Sequence, residues 1–481
     1  MTYPDTELLI NGHWVAGSGK RTLDVTDPAT STVIGRVSVA EESQLEEAIA
    51  AAHAAFNGWR CISVLERSAR LRQAAYLLRQ RSDQIGWLLT REQGKPLNEA
   101  KAEIATSADI LEWFAEEARR TYGRVVPARD PYVRQTVLKE PIGPVAAFTP
   151  WNFPLSQAAR KIGAALAAGC TMVLKPAEET PASTAALVRS LQDAGLPSGV
   201  LNLVYGIPAD ISSYLIAHPA IRKVSFTGSV PVGKQLAALA GLHMKPATME
   251  LGGHAPVLVF ADSDIRSAAA LMARSKFRNA GQVCVSPTRF LVEAPVMEEF
   301  REAFVAESSR INVGSGLEES SDMGPLISSR RLEAVEGLVT DARDNGATVD
   351  FGGKRLGNAG NFYAPTVLSN VNRDMRIMNE EPFGPVAILV PFTSLDEAMA
   401  EANRLPFGLA SYAFTQSAST IAALEKRMEA GMLTINHLGL ALPETPFGGV
   451  KDSGHGSEGG AEAIEAYLTT KFVSERHAPQ A

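Results

Sequence analysis

An α/β fold is predicted: a doubly wound parallel sheet, a second α/β unit, and a separate β arm. Three patterns lead to it. From 144 to 260, short apolar runs alternate with stretches of helical period. The alternation resumes after 286 over a second set of elements. Residues 123–142 fit neither run; Val125, Val126, Val133, Thr136 and Val137 mark them as extended.

Taken in order, ELLINGHWVAGSG reads as a hairpin turning at Asn11-Gly12. Residues 41–57, 64–94 and 99–121 are helical by period, and Ser43 with Glu46 has the spacing of a capping box. The strand PVAAFTP leads into a helix from Pro154 to Gly169. TMVLKP leads into one with Thr180 as cap, Pro181 in the first turn and Gly195 as stop. VLNLVYG precedes a helix at 209–217, KVSFTG one at 231–241, and HAPVLVF closes the run. A single long helix is expected over 264–282, followed by the strand TRFLVE. Helices at 295–310 and 329–346, with strands near 347–352, 364–371 and 386–392, build the second unit. Further helices cover 395–404 and 417–430. The tail strand YLTTKFVSE can pair with the 123–142 arm. The expected partition is 1–122 with 143–250, then 251–440, with 123–142 and 460–481 as arm and C-terminal strand.

The chain has 481 residues, enough for two or three domains. Its 45% hydrophobic and 21% charged content is globular. A net charge of −7 argues against nucleic acid or an anionic membrane as partner. The N-terminus lacks an apolar signal core, and no apolar run approaches spanning length, so a cytoplasmic location is expected. Three cysteines without paired spacing give neither a disulfide framework nor a metal site.

Of those cysteines, Cys61 lies in a polar loop and Cys170 opens an apolar strand. Cys284 lies past Gly281, in a turn with no apolar period, where a thiolate can meet a substrate; a structural thiol is the plainer alternative. FTGSVPVG sets Gly228 and Gly233 between a strand and a helix, where a pyrophosphate can bind or a simple turn can suffice. Lys175 and Glu178 end the preceding strand; the carboxylate suits ribose hydroxyls and repels a 2′-phosphate, or else sits in a solvated loop. Glu250 ends ATMEL before Gly252-Gly253, a place for a partly buried base or a surface carboxylate. Asn152 stands before a helix N-terminus, as oxyanion donor or as cap. Phe153, Gln157 and Arg160 share a helix face, and Arg278 lies six residues before Cys284; two guanidinium groups there can clamp a carboxylate or simply face solvent.

GQVCVSPTR, ELGG at 250–253, TPWNFP at 149–154, FTGS at 226–229 and EEPFGPV at 380–386 together resemble the aldehyde dehydrogenase superfamily, in its motif order from about residue 8 to about 477. The nearest likeness is to succinate-semialdehyde dehydrogenases. The resemblance implies an aldehyde dehydrogenase-like fold, with a Rossmann-type cofactor domain, an α/β catalytic domain and a β oligomerisation arm. It implies Cys284 as nucleophile, Glu250 as base hydrolysing a thioester, and Asn152 as oxyanion donor. It places Trp151, Lys175, Glu178, Gly228, Ser229, Gly233, Leu251, Glu381 and Phe383 at a nicotinamide cofactor, NAD rather than NADP because of Glu178. It gives Arg160 and Arg278 the distal carboxylate of a short semialdehyde, and a homodimer or homotetramer as the assembly. Departures are Ser286 where relatives often have a second cysteine, Ala441 for a carboxylate-binding serine, and Ser457 for an arginine. They leave glutaric or 2-oxoglutaric semialdehyde, or a broad range of aliphatic and aromatic aldehydes, as alternative substrates. A catalytically silent binding protein of the same fold is a third reading.

Overall fold

The computed structural model describes residues 1–477, so the end of the expected C-terminal unit, 478–481, lies outside the described residues. Eight strands form the first sheet, in the order His13–Val15, Leu8–Ile10, Leu201–Leu203, Met172–Lys175, Val145–Phe148, Lys223–Gly228, Ala247–Leu251, Gly454–His455. Val145–Phe148 runs parallel to both Met172–Lys175 and Lys223–Gly228. The chain therefore winds outward first on one side and then on the other. The switch point falls at the carboxyl ends of Val145–Phe148 and Lys223–Gly228, where open α/β sheets leave a crevice.

Between Leu251 and Ala255 the chain passes to a second sheet of seven strands. Its order is Thr348–Phe351, Thr366–Ser369, Val386–Phe392, Pro287–Glu293, Ala255–Val259, Ala410–Phe414, Met432–Ile435. All its ladders are parallel except the edge pair Thr348–Phe351 with Thr366–Ser369. The strands Val145–Phe148 and Ala255–Val259 are buried and apolar throughout, as suits parallel strands covered on both faces. The expected arm is present: Arg124–Val126, Val133–Pro141 and Leu468–Arg476 form a three-stranded antiparallel sheet, with Phe472 opposite Val137. Tyr122, Val125 and Phe472 on and beside it are exposed.

Several local expectations are corrected. The helix expected over 64–94 breaks at Arg81 into Val64–Gln80 and Ser82–Gln93, because Arg81 turns out of helical geometry and its guanidinium reaches Ser190 and Asp193. The capping box lies two residues earlier than Ser43/Glu46: Glu41 is the cap and Gln44 its partner, with the Gln44 amide also tied to Ser18 and Ala16. Thr180 holds the cap position, but its hydroxyl accepts nothing. Glu92 caps that helix instead, accepting from the Ala182 and Ser183 N–H groups at 2.9 Å each. The helix expected over 264–282 stops at Phe277. Asn279 and Ala280 then take left-handed backbone (φ 48° and 53°), a conformation costing roughly 1 kcal/mol or more per non-glycine residue. The Asn279 N–H bond to Glu99 Oε2 (2.9 Å) holds the kink. The hairpin of Thr22–Asp27 and Thr32–Ser38 has no counterpart in the sequence reading.

Candidate active site

Each side of the crevice follows from a strand end. After Val145–Phe148 the chain turns through Trp151 and Asn152 into the helix Pro154–Ala168, whose first-turn proline presets the entry. After Lys223–Gly228, Ser229 takes the cap position of the helix Val230–Leu242, its hydroxyl making no capping bond. Ala247–Leu251 lies alongside, with Glu250 opposite Thr227 and Leu251 opposite Gly228. The crevice opens into a cleft of about 510 Å³. Trp151, Asn152, Gly228, Ser229, Glu250 and Leu251 line it from the first sheet, and Cys284, Glu381 and Phe383 from the second.

Cys284 is half-buried in the turn that follows the kink. Burial, and after it the carboxylates of Glu381 and Glu250, pushes its thiol up to about 12, while its own N–H and that of Val285 pull the other way. Glu250 is 2% exposed, and neither carboxyl oxygen bonds to any group of the protein. Burial holds its pKa well above the usual carboxylate range; Glu458 adds to this, and Lys161 and Arg160 oppose it. A buried carboxyl without a partner, on the cleft that the thiol also lines, is a costly arrangement for a merely structural residue. Asn152 is also buried. Its Nδ2 donates to the Gln282 carbonyl at 3.0 Å, and its Oδ1 is unpartnered. The amide's other hydrogen remains for a ligand.

Glu381 accepts from the Gly253 N–H at 3.2 Å, and burial pushes it up to about 7. A β-carbon on Gly252 would strike its carboxylate. Phe383, in left-handed backbone, meets Trp151 edge-on at 5.5 Å. Gly233 lies behind the cleft, where a β-carbon would collide with Leu251, so it lets helix and strand pack closely. Lys175 pairs with Glu178 at the neighbouring strand end, and the adjacent Glu179 lines the cleft.

The two arginines do not converge. Arg160 is buried and donates to the backbone carbonyls of Ala441 (2.6 Å) and Glu458 (2.9 Å), stacked on Phe447. It ties down the loop that carries Ala441 and Ser457. Ser457 there closes a local turn with Phe447 and Gly459. Arg278 is exposed and lies over the Phe153 ring at 5.0 Å, in a hollow of about 440 Å³ lined also by Asn98, Glu99, Glu103 and Ser156. Among the described residues it makes no ion pair.

The aldehyde dehydrogenase family model matches residues 14–473. This chain belongs to the aldehyde dehydrogenase family. It is 51% identical to the putative 4-(hydroxymethyl)benzenesulfonate dehydrogenase of Comamonas testosteroni over 98% of both chains. It is 42% identical to the 3-sulfolactaldehyde dehydrogenase of Pseudomonas putida, over 97% of this chain and 96% of that one. The crystal structure of succinate-semialdehyde dehydrogenase from Burkholderia pseudomallei superposes with a TM-score of 0.96 at 42% identity, covering 98% of each chain. The protein is thus an NAD(P)-dependent aldehyde dehydrogenase. Among the described residues, no helix of this dehydrogenase is long and apolar enough to cross a membrane.

Sequence reasoning missed a fully buried cluster beside the dehydrogenase's Glu250. Lys161 Nζ donates to Ser225 (3.0 Å), Thr227 (2.8 Å) and Glu458. Ser225 and Thr227 alternate along one strand face, which is a readable signal, but their partner lies more than 200 residues on. Arg330 and Arg331, at the start of the helix Ser329–Asp344, also line the cleft and were missed. So was Lys276, whose buried amine donates to Ser286 Oγ at 3.1 Å and is brought down to about 7 by burial.

Proposed function

We propose that this aldehyde dehydrogenase uses NAD to oxidise a short aldehyde carrying an acid group at its far end, a semialdehyde of the succinic type or a sulfonate analogue. The observation that carries the chemistry is the partnerless Glu250 carboxyl on the same cleft as Cys284. Cys284 gives up its proton to solvent, and the resulting thiolate adds to the aldehyde carbon, giving a thiohemiacetal oxyanion. The oxyanion forming in that step is met by Asn152 Nδ2 and the Cys284 N–H; each such donor contributes about 3 kcal/mol. NAD, when bound, supplies the hydride acceptor. The thioester left on Cys284 is then hydrolysed: Glu250 takes a proton from the attacking water, the acid departs, and the thiol is restored.

The residues present fit that cofactor. Gly228-Ser229 sits at a helix N-terminus, suited to phosphate, and Gly233 and Leu251 close the packing beneath it. Trp151, Glu381 and Phe383 line the same cleft as Cys284, with Trp151 and Phe383 in contact. Glu178 and Glu179, together at the end of Met172–Lys175, would repel a 2′-phosphate, with Lys175 engaged by Glu178. NAD is expected to exceed NADP at least about tenfold in kcat/KM; a wild-type enzyme favouring NADP would contradict this.

Of the two arginines, Arg278 is the one left to meet a distal anion: among the described residues it makes no ion pair where Arg160 is engaged, and the nearby Glu99 carboxylate is the group an anion would compete with. The relatives, by their names, act on compounds with an acid group, sulfonate or carboxylate. Arg278→Ala is expected to lower kcat/KM for succinic semialdehyde and 4-sulfobenzaldehyde about tenfold, the modest end for a charged hydrogen bond because the site is exposed. Butanal and benzaldehyde should be unaffected. A wild type that does not distinguish charged from neutral aldehydes leaves a general aldehyde dehydrogenase. Arg160→Ala, which frees the 441–459 loop, should weaken turnover of all four.

A second copy of the chain would cover the exposed arm, an unpaired edge being unfavourable in water. Sedimentation is expected to show a dimer or tetramer at micromolar concentration; a stable monomer would overturn this.

A further inference from the structure

We propose that Lys95 and Glu103 form a buried positioning pair that aims the Asn152 amide at the carbonyl attacked by Cys284. The inference rests on the reading of Asn152 as oxyanion donor.

Lys95 is 1% exposed. Its Nζ donates to Glu103 Oε2 at 2.5 Å and to the Asn152 backbone carbonyl at 2.8 Å, and it lies 4.0 Å from the Phe153 ring centre. The other Glu103 oxygen accepts from the Leu155 and Ser156 N–H groups at 3.0 and 3.2 Å. Those groups open the helix Pro154–Ala168, which has no side-chain cap of its own. One carboxylate therefore fixes the helix start and, through Lys95, the peptide just ahead of it. Asn152 itself carries one of these two anchors, the bond from Lys95.

The rest of its surroundings lead back to the same segment. The Asn152 carbonyl also accepts from Asn279 Nδ2 at 3.0 Å, and Asn279 Oδ1 accepts from Gln93 Nε2 at 2.9 Å. Gln93 Oε1 in turn accepts from the Lys95 N–H at 3.0 Å. Gly94, at φ 95°, makes the bend that lets residues 93 and 95 both point inward. A β-carbon on Gly316 would strike the Lys95 carbonyl, and one on Gly324 the Gly94 carbonyl, so the bend has no slack. Asn279 belongs to the left-handed kink that leads to Cys284. The strut thus joins the amide donor to the turn that carries the nucleophile. A buried ion pair adds little net stability over an apolar pair; what this one supplies is three directed bonds to the backbone around Asn152.

The test is a double-mutant cycle on the full-length enzyme, following NADH, with melting temperature and the KM for NAD recorded for each variant. Lys95→Met is expected to lower kcat about 10- to 100-fold, the effect of a misplaced donor, with little change in the KM for NAD. Asn152→Ala should lose about 100-fold or more. Lys95→Met with Asn152→Ala should be no slower than Asn152→Ala alone, within about twofold. Glu103→Gln, nearly isosteric, should show the same pattern with a smaller loss, and it decides the matter if Lys95→Met does not fold. Multiplied losses in the double variants, or wild-type kcat in Lys95→Met or in a folded Glu103→Gln, would overturn the positioning role. Wild-type kcat in Asn152→Ala would instead remove the reading on which it rests.

Discussion

Cys284→Ala enzyme should produce no NADH from any aldehyde, a loss of at least about 10⁴-fold in kcat, while still binding NAD. No other thiol can substitute. Cys170 is wholly buried with its thiol pushed up to about 11, and Cys61 lies exposed outside the cleft. The fold should tolerate the change, because Cys284 is only half-buried and alanine leaves no unpartnered group behind. Cofactor titration by fluorescence, together with NADH absorbance, checks both halves; residual turnover above about one per cent of wild type would contradict the nucleophile. The wild-type thiol carries its own signature. With its pKa pushed up to about 12, the thiolate is the minor form at neutral pH in the enzyme without ligands. Alkylation by iodoacetamide should then still quicken about tenfold per pH unit between about 9 and 10, where an ordinary thiol with a pKa of about 8.5 has levelled off.

Glu250→Gln should lose about 10³-fold in steady-state rate, within the usual range for a general base, yet keep its first turnover. Thiol attack and hydride loss need no Glu250 oxygen in the proposed scheme; hydrolysis does. Rapid mixing should therefore show a burst of about one NADH per active site and then near-silence. Unchanged steady-state turnover would exclude the role. The pH dependence has a definite sign. Burial raises the Glu250 pKa, so the carboxyl stays protonated at pH values where an exposed glutamate is ionised. Wild-type activity should rise as pH climbs through that raised value and fall away below it, and the acid limb should vanish in Glu250→Gln. Stability should move the opposite way. A raised folded-state pKa means that wild-type stability is lost as pH rises through it, so the amide variant should melt no lower than wild type at neutral pH and somewhat higher above it.

The sequence made the strand-helix order legible because parallel strands are apolar and helices keep their period. Cys284, Glu250 and Asn152, singled out because each lies at or beside the end of an element, do line one cleft. What escaped was held by distant partners. Glu92 caps a helix some 90 residues away, and Glu103 caps another more than 50 residues away, so no local spacing reveals either cap. The kink at Asn279 and Ala280 was hidden for the same reason: the apolar period continues through it, and the Glu99 carboxylate that turns the chain lies 180 residues back. The arginines show a further limit. Spacing puts Arg160 on the face below Asn152, but it cannot say that the guanidinium turns toward the Ala441 and Glu458 carbonyls while Arg278 is left open.

The central claim is that a Cys284 thioester forms and that Glu250 is needed to hydrolyse it. Intact-mass spectrometry of Glu250→Gln, quenched in acid after mixing with succinic semialdehyde and NAD, tests this most directly. The expected result is a mass increase of one succinyl group per chain, mapped by peptide digestion to Cys284, removed by hydroxylamine and absent when NAD is omitted. An unmodified protein, or an acyl group on another residue, would contradict it.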